Sequence, residues 1–288
     1  MAAFSALILV KTRFICQATL LPAWFLLLGH SSPEYVLKYK MKAGEIHYYT
    51  ASMDAVLVQE VGGVAYESHT RSRARVKFVG EGQSSMDRMM FIISNESLAI
   101  TVSTVDTDST FANPPGMTGK RVRKLITANG DQIASEELDP YELLSAAPGF
   151  GSEQEFLTNL PGTAMRMGET VTVTDVDSTH RFGGIMVSTA QVAYTLVGIE
   201  MKHGLECVHL QIKGQISLRG QGERQGVQFF LDGEGSVVGT LYFAHKQGLL
   251  VSSENKTELG MRATVTGTQT TDTIPIFQTV QFSLSLSQ

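Results

Sequence analysis

Polarity alternates residue by residue from Leu205 to Arg219. Val208, Leu210, Ile212, Ile216 and Leu218 occupy one parity, and His209, Gln211, Lys213, Gln215, Ser217 and Arg219 the other. Successive side chains of a strand point to opposite faces, so this segment has a dry face and a wet face, with Gly214 on the dry one where a bend or close packing fits. At about 3.3 Å per residue such a strand is long for a small sandwich and suits a large curled sheet or a barrel.

The same pattern recurs along the chain. Leu37, Tyr39 and Met41 alternate with Lys38, Lys40 and Lys42. Leu98, Ile100 and Val102 form a second set, Val192, Tyr194 and Leu196 a third, and Ile274, Ile276, Val280, Phe282, Leu284 and Leu286 a fourth. Turn signals separate these runs at Gly62-Gly63, Gly80-Glu81-Gly82, Pro114-Pro115-Gly116, Asn129-Gly130-Asp131, Gly183-Gly184, Asp232-Gly233 and Gln247-Gly248, as antiparallel meanders require. The expected fold is mostly β, a large curled antiparallel sheet of half-barrel or barrel-like form, with one or two short mid-chain helices. Those helices are expected around Tyr141-Glu142-Leu143-Leu144 and after Ser152-Glu153-Gln154-Glu155, which has capping-box spacing.

The first 30 residues read as a signal peptide. Lys11 and Arg13 precede an apolar run from Phe14 to Gly29, and no acidic residue interrupts it. The run is shorter than the roughly 20 apolar residues that span a bilayer, and it contains Pro22. Removing this segment takes two of the 23 basic residues and none of the 28 acidic ones, leaving a net charge of −7. A field of that sign disfavours nucleic acid as a partner. Of the two cysteines, Cys16 lies in the signal, so Cys207 has no internal disulfide partner. Export to a periplasm or cell surface is the expected route.

Residues 33–288 are expected to form one β-rich domain or two β halves, 33–135 and 160–288, joined by a helical stretch at 136–159. An internal echo supports the division: Met41-Lys42-Ala43-Gly44-Glu45 returns as Met165-Arg166-Met167-Gly168-Glu169. With Leu160-Pro161 and Gly204-Leu205-Glu206-Cys207, these motifs are similar to those of a group of uncharacterised bacterial exported envelope proteins. In expected shape that group resembles the half-barrel of lipoprotein carriers, in which a bent antiparallel sheet wraps an apolar cavity beneath short helices. The resemblance brings no catalytic residues with it, and this chain lacks the lipid-modified cysteine that would follow the apolar run.

The seven histidines are dispersed, without zinc-ligand spacing. Cys207 and His209 share the polar face of one strand, but a nucleophile pair also needs a third, orienting group and a pocket. Asp106-Thr107-Asp108 lacks the glycine and distal glutamate of a calcium loop, and Gly220-Gln221-Gly222 opens no helix that would cradle phosphate. No cofactor and no metal are implied, and no enzyme is expected. Asn95-Glu96-Ser97 and Asn255-Lys256-Thr257 are glycosylation sequons.

The most suggestive surface is a basic ladder. Arg71, Arg73, Arg75 and Lys77 share one strand face, opposite Ala74, Val76 and Phe78. It offers an anionic-ligand surface, or pairs with acidic neighbours on adjacent strands. The function expected is non-enzymatic: an exported envelope protein binding or carrying a hydrophobic or lipid-like ligand, with an envelope protein as a further partner and membrane contact left open. An outer-membrane β-barrel or a surface adhesion module is the alternative.

Overall fold

The computed structural model describes residues 33–85, 87–139, 157–181, 184–224, 227–266 and 271–287. The expected signal segment lies outside the described residues. Twelve strands follow in order: β1 (Ile46–Val61), β2 (Val64–Ser85), β3 (Arg88–Thr104), β4 (Asp108–Ala112), β5 (Arg121–Thr127), β6 (Gln132–Glu137), β7 (Thr170–Arg181), β8 (Gly184–Lys202), β9 (Leu205–Arg224), β10 (Val227–Ala244), β11 (Leu249–Thr266) and β12 (Thr271–Ser287).

They make one antiparallel sheet ordered β6-β5-β3-β2-β1-β12-β11-β10-β9-β8-β7, with β4 beside β3. The two expected halves are thus parts of a single sheet, joined where β1 pairs with β12 from Tyr48–Ser287 to Gln59–Ile276. Hydroxyls stitch this seam: Ser52 Oγ lies 2.7 Å from Ser283 Oγ, and Thr50 Oγ1 lies 3.0 Å from Ser287 Oγ. Among the described residues β6 and β7 pair on one side only, so the sheet is not closed. Both edges are guarded: β6 is short and acidic, and β7 carries Asp175 and Asp177 at inward register positions, which discourages added strands.

Curl follows from the core. Phe91 of β3 and Leu196 of β8, seven strand steps apart, belong to the same buried apolar cluster. A flat sheet could not bring them together, so the sheet bends around the face they share. Tyr49, Val76, Leu210, Leu241 and Leu284 line that concave face in the same cluster. All lie toward one end of their strands, the end where β2–β3, β8–β9 and β10–β11 turn.

Two non-sheet segments fill this closed end. Tyr35 and Met165 exchange backbone hydrogen bonds of 2.8 and 2.9 Å, Tyr39 N–H donates to Ala128 O at 2.7 Å, and Leu160 N–H donates to Asn129 O at 2.7 Å. The alternation over 37–42 therefore belongs to a plug and not to a sheet strand. Leu37, Tyr39 and Met41 face the core, while the intervening lysines face outward, Lys40 reaching the β10–β11 turn through its N–H to Gly248 O at 2.9 Å.

The internal echo is structural. Lys42 N–H donates to Glu45 Oε2 and Arg166 N–H to Glu169 Oε2, both at 2.8 Å. Gly44 and Gly168 then donate to Gly80 O and Leu196 O, again at 2.8 Å. The strand receiving each bond shifts register just beyond it, at Gly80/Gly82 and Leu196/Gly198. The unit β1–β2–β3 is thereby matched by β7–β8–β9.

Three expectations need correction. Gly80-Glu81-Gly82 is a bulge inside β2 and not a turn. Asp232-Gly233 lies inside β10 and is not a turn. No helix occurs among the described residues. The expected helical stretch 136–159 begins within β6, where Arg123 Nη1 holds Glu136 at 2.7 Å, and residues 140–156 of it lie outside the described residues.

Candidate functional site

Beyond the packed end the long strands continue, and the concave face keeps its apolar character without a covering layer. Following the register outward, β1 contributes Ala55 and Leu57, β12 Val280 and Ile276, and β11 Leu259, Met261 and Ala263. Next come Val237 and Leu231 on β10, Ile216 and Leu218 on β9, and Val192 and Met186 on β8. These side chains are half-buried. From Ala55 on β1 through β12, β11, β10 and β9 to Met186 on β8, the concave positions carry no charged residue until Asp272 at the far tip.

Charges take the opposite parity. Arg219 and Asp232 pair on the convex face at 3.4 Å, and Lys256 joins Glu258 along β11. Polarity is thus reversed with respect to a bilayer-spanning barrel, whose outward face is apolar and whose lumen is polar.

A glycine track makes the trough deep. Gly214, Gly220, Gly222, Gly233, Gly235 and Gly239 fall at concave positions of β9 and β10. A Cβ at Gly214 would meet Gln191 O at 2.7 Å and Val237 Cγ1 at 2.9 Å, and one at Gly235 would collide with the Glu258 carbonyl. Where these glycines leave the inner surface bare, the neighbouring backbone comes closer than a substituted position allows.

At the inner end of the trough, Ser72 and Ser253 are buried, and the Asn255 amide donates to Ser253 Oγ at 3.1 Å. A cavity of about 680 Å³ spans five adjacent strands at this level, and its lining joins concave residues such as Met53 and Phe282 to charged residues of the opposite parity, among them Arg73 and Glu254. Both sequon asparagines, Asn95 and Asn255, have a sealed side-chain carbonyl without a hydrogen-bond partner.

The basic ladder lies on the convex face of β2, with Arg71, Arg73 and Arg75 exposed and Lys77 half-exposed. Its members do not act alike. Arg71 Nε pairs with Asp54 Oδ2 at 3.0 Å. The Arg75 guanidinium sits 4.6 Å from the centroid of the Tyr48 ring, and Lys77 Nζ lies 6.0 Å from the same ring. Arg73 faces Ser52 and Ala99 across its two neighbouring strands. Beside it runs a groove of about 370 Å³ lined by Thr50, Arg73, Arg75, Ser97 and Asn113. One of the four cations is therefore paired with a carboxylate, and two share one aromatic ring.

Around Cys207 the structure supplies the third group that the sequence did not reveal: Glu200 Oε1 lies 2.9 Å from His209 Nδ1. The arrangement still makes no nucleophile. Cys207 is sealed with Ala244 and Val251, its thiol turns to Leu205 O at 3.5 Å, and burial pushes its pKa up. His209 stacks on Tyr242, 4.4 Å between centroids, and Lys202 Nζ lies 4.4 Å from the same ring. The result is a packed polar cap over the closed end.

Thr107 N–H and O both bond Thr104, at 3.2 and 2.8 Å, which makes the Asp106-Thr107-Asp108 segment a hairpin turn. Among the described residues no three His, Cys, Asp or Glu side chains are grouped to hold a metal.

No family model matches the sequence, and no curated protein matches it. Solved structures share weak likeness. An outer membrane channel from Pseudomonas putida F1 is 7% identical, with 86% of this chain and 98% of that chain covered, at a TM-score of 0.26. Pseudomonas aeruginosa OccK2 (OpdF) is 7% identical over 85% and 98% of the two chains at 0.24. OccK11 (OpdR) from the same species is 6% identical over 88% and 100% at 0.21. Likeness at these TM-scores carries no argument about this chain's fold or task.

Proposed function

We propose that this protein is a non-enzymatic, exported envelope protein that binds or carries a hydrophobic, lipid-like molecule in the concave trough of its sheet. The observation that carries this reading is the apolar concave face that continues past the packed core without charge from Ala55 on β1 to Met186 on β8 until Asp272 at the far tip, while the convex face of these strands keeps the charges. Apolar surface left half-covered in a curled sheet favours an apolar guest, because burying it against a ligand releases about 25 cal/mol for each Å² removed from water. A bilayer-facing wall would need the opposite polarity, and a closed barrel would need β6 and β7 to pair.

The test is native mass spectrometry of protein purified from its own host, followed by solvent extraction and titration with an environment-sensitive apolar dye. A co-purifying apolar molecule, displaced by the dye, is the expected result. Protein that emerges ligand-free and leaves the dye dark would defeat the reading.

A further inference from the structure

We infer that the molecule held in the trough is an amphiphile with a cationic, ammonium head, received by Tyr194, Asp175 and Asp177 on the β7–β8 flank of the concave face. The head site depends on the carrier reading, because without a trough for its chain an amphiphile would not be held there.

Three tyrosines are buried in the core: Tyr39, Tyr49 and Tyr194. A buried phenol ordinarily finds a hydrogen-bond partner. Tyr39 donates to Thr158 O at 2.9 Å and Tyr49 to Leu250 O at 2.8 Å. Tyr194, only 3% exposed, has no such partner among the described residues. It stands where core gives way to trough, since Val192, two residues on along the same face, is half-buried. Burial, and after it the Asp175 carboxylate, raise its pKa. The phenol therefore stays neutral and feels that carboxylate without bonding to it.

The concave positions from β1 to β8 carry no charge until Asp272. On β7, the next strand, two appear. Asp175 is in register with Ala190 and Asp177 with Ser188, which in turn face Ile216 and Leu218 of the trough. Asn159 Nδ2, from the segment that fills the closed end, donates to Asp175 Oδ2 at 3.2 Å. This bond fixes the carboxylate and leaves Oδ1 open. Neither aspartate pairs with a cation among the described residues. Protection of an edge accounts for inward carboxylates on β7, but not for a phenol left unpartnered on the strand beside it.

The open groups select the head. Asp175 Oδ1, the Asp177 carboxylate and the phenolic oxygen all accept hydrogen bonds, and an ammonium brings only donors together with the opposite charge. A carboxylate or phosphate head would meet like charge, and the Asn159 amide is already bonded to Asp175.

Displacement of the apolar dye by decylamine, decanol and decanoate, three probes of equal chain length, decides the matter. Decylamine is expected to compete about tenfold more strongly than decanol, and decanoate more weakly than either. Asp175→Asn combined with Asp177→Asn should abolish the preference. Tyr194→Phe should reduce it severalfold at unchanged melting temperature, because the hydroxyl it removes bonds nothing in the fold. Glu234→Gln, which takes one charge from the convex face, should leave it intact. A preference that survives the double Asn variant, or falls as far in Glu234→Gln, would belong to the net charge of the protein and sink the head site. Equal competition by decylamine and decanol, or a Phe variant that binds as the parent does, would overturn it too and leave the carrier reading standing. Protein that binds neither dye nor probe would defeat both.

Discussion

Gly44 and Gly168 hold the same left-handed backbone conformation, φ +79° in each, and each passes its N–H to the strand beside the one it introduces. Nothing lies within 4 Å of a Cβ built at either position, so substitution there is purely a matter of backbone preference. Gly44→Ala and Gly168→Ala are each expected to cost about 1 kcal/mol, because a side chain in this region meets its own backbone. The double variant should lose the sum, since the sites share no partner. Urea unfolding curves check this, and clearly unequal losses would show that the two turns are not equivalent.

Two leucines on the concave face should respond in opposite ways. Leu210 is fully buried in the core and Leu259 is half-buried in the trough. Leu210→Ala is expected to cost about 2–5 kcal/mol by opening a cavity. Leu259→Glu places a carboxylate in the apolar trough and is expected to weaken dye binding at least tenfold while shifting the melting temperature little. Equal dye binding by the Glu variant and the parent would remove the trough as the binding face.

The glycine track sets the curl. Gly214→Ala drives a Cβ into Gln191 O and Val237 Cγ1, and overpacking of this kind costs about 1–3 kcal/mol. The strand can relieve the contact only by bending less, so dye affinity should fall together with stability. A variant that keeps both would show that curvature comes from elsewhere.

His245 makes stability depend on pH. Burial pulls its imidazole below the ordinary value of 6.5, the Glu206 carboxylate opposes this, and Lys246 and Lys40 add to the fall. Tyr35 meets the ring edge-on, 5.2 Å between centroids, and Nδ1 has no hydrogen-bond partner. In the unfolded chain the imidazole takes a proton near its ordinary value, while the folded protein resists it. The unfolded state therefore binds more protons below that value, and the contribution present above about pH 6.5 is lost as pH falls. Urea midpoints measured between pH 7.5 and 5.5 should fall less steeply in His245→Gln than in the parent. Parallel profiles would assign the pH dependence to other groups.

The basic ladder shows how far one strand can be read. Its period placed Arg71, Arg73, Arg75 and Lys77 on one exposed face, as found, yet Asp54 and Tyr48, the groups that engage three of these four cations, come from a neighbouring strand. The orienting Glu200 beside His209 was hidden for the same reason. Cross-strand partners are set by register, and register is fixed by the whole sheet rather than by local sequence.

Period-two patterning by itself determined the strands β2, β3, β8, β9 and β12 and divided their wet and dry faces, because side-chain direction in a strand depends on parity alone. Repetition of a five-residue motif foretold the matched turns at Gly44 and Gly168. Only the tertiary structure decided that the glycines of β9 and β10 bend strand interiors instead of ending strands, and that Leu37, Tyr39 and Met41 plug the curl. Only it decided that the apolar face is the concave one and outlasts its core. Those outcomes depend on contacts between residues distant in sequence: a glycine is compatible with a turn or a tight bend, and the neighbouring strand's carbonyl settles which.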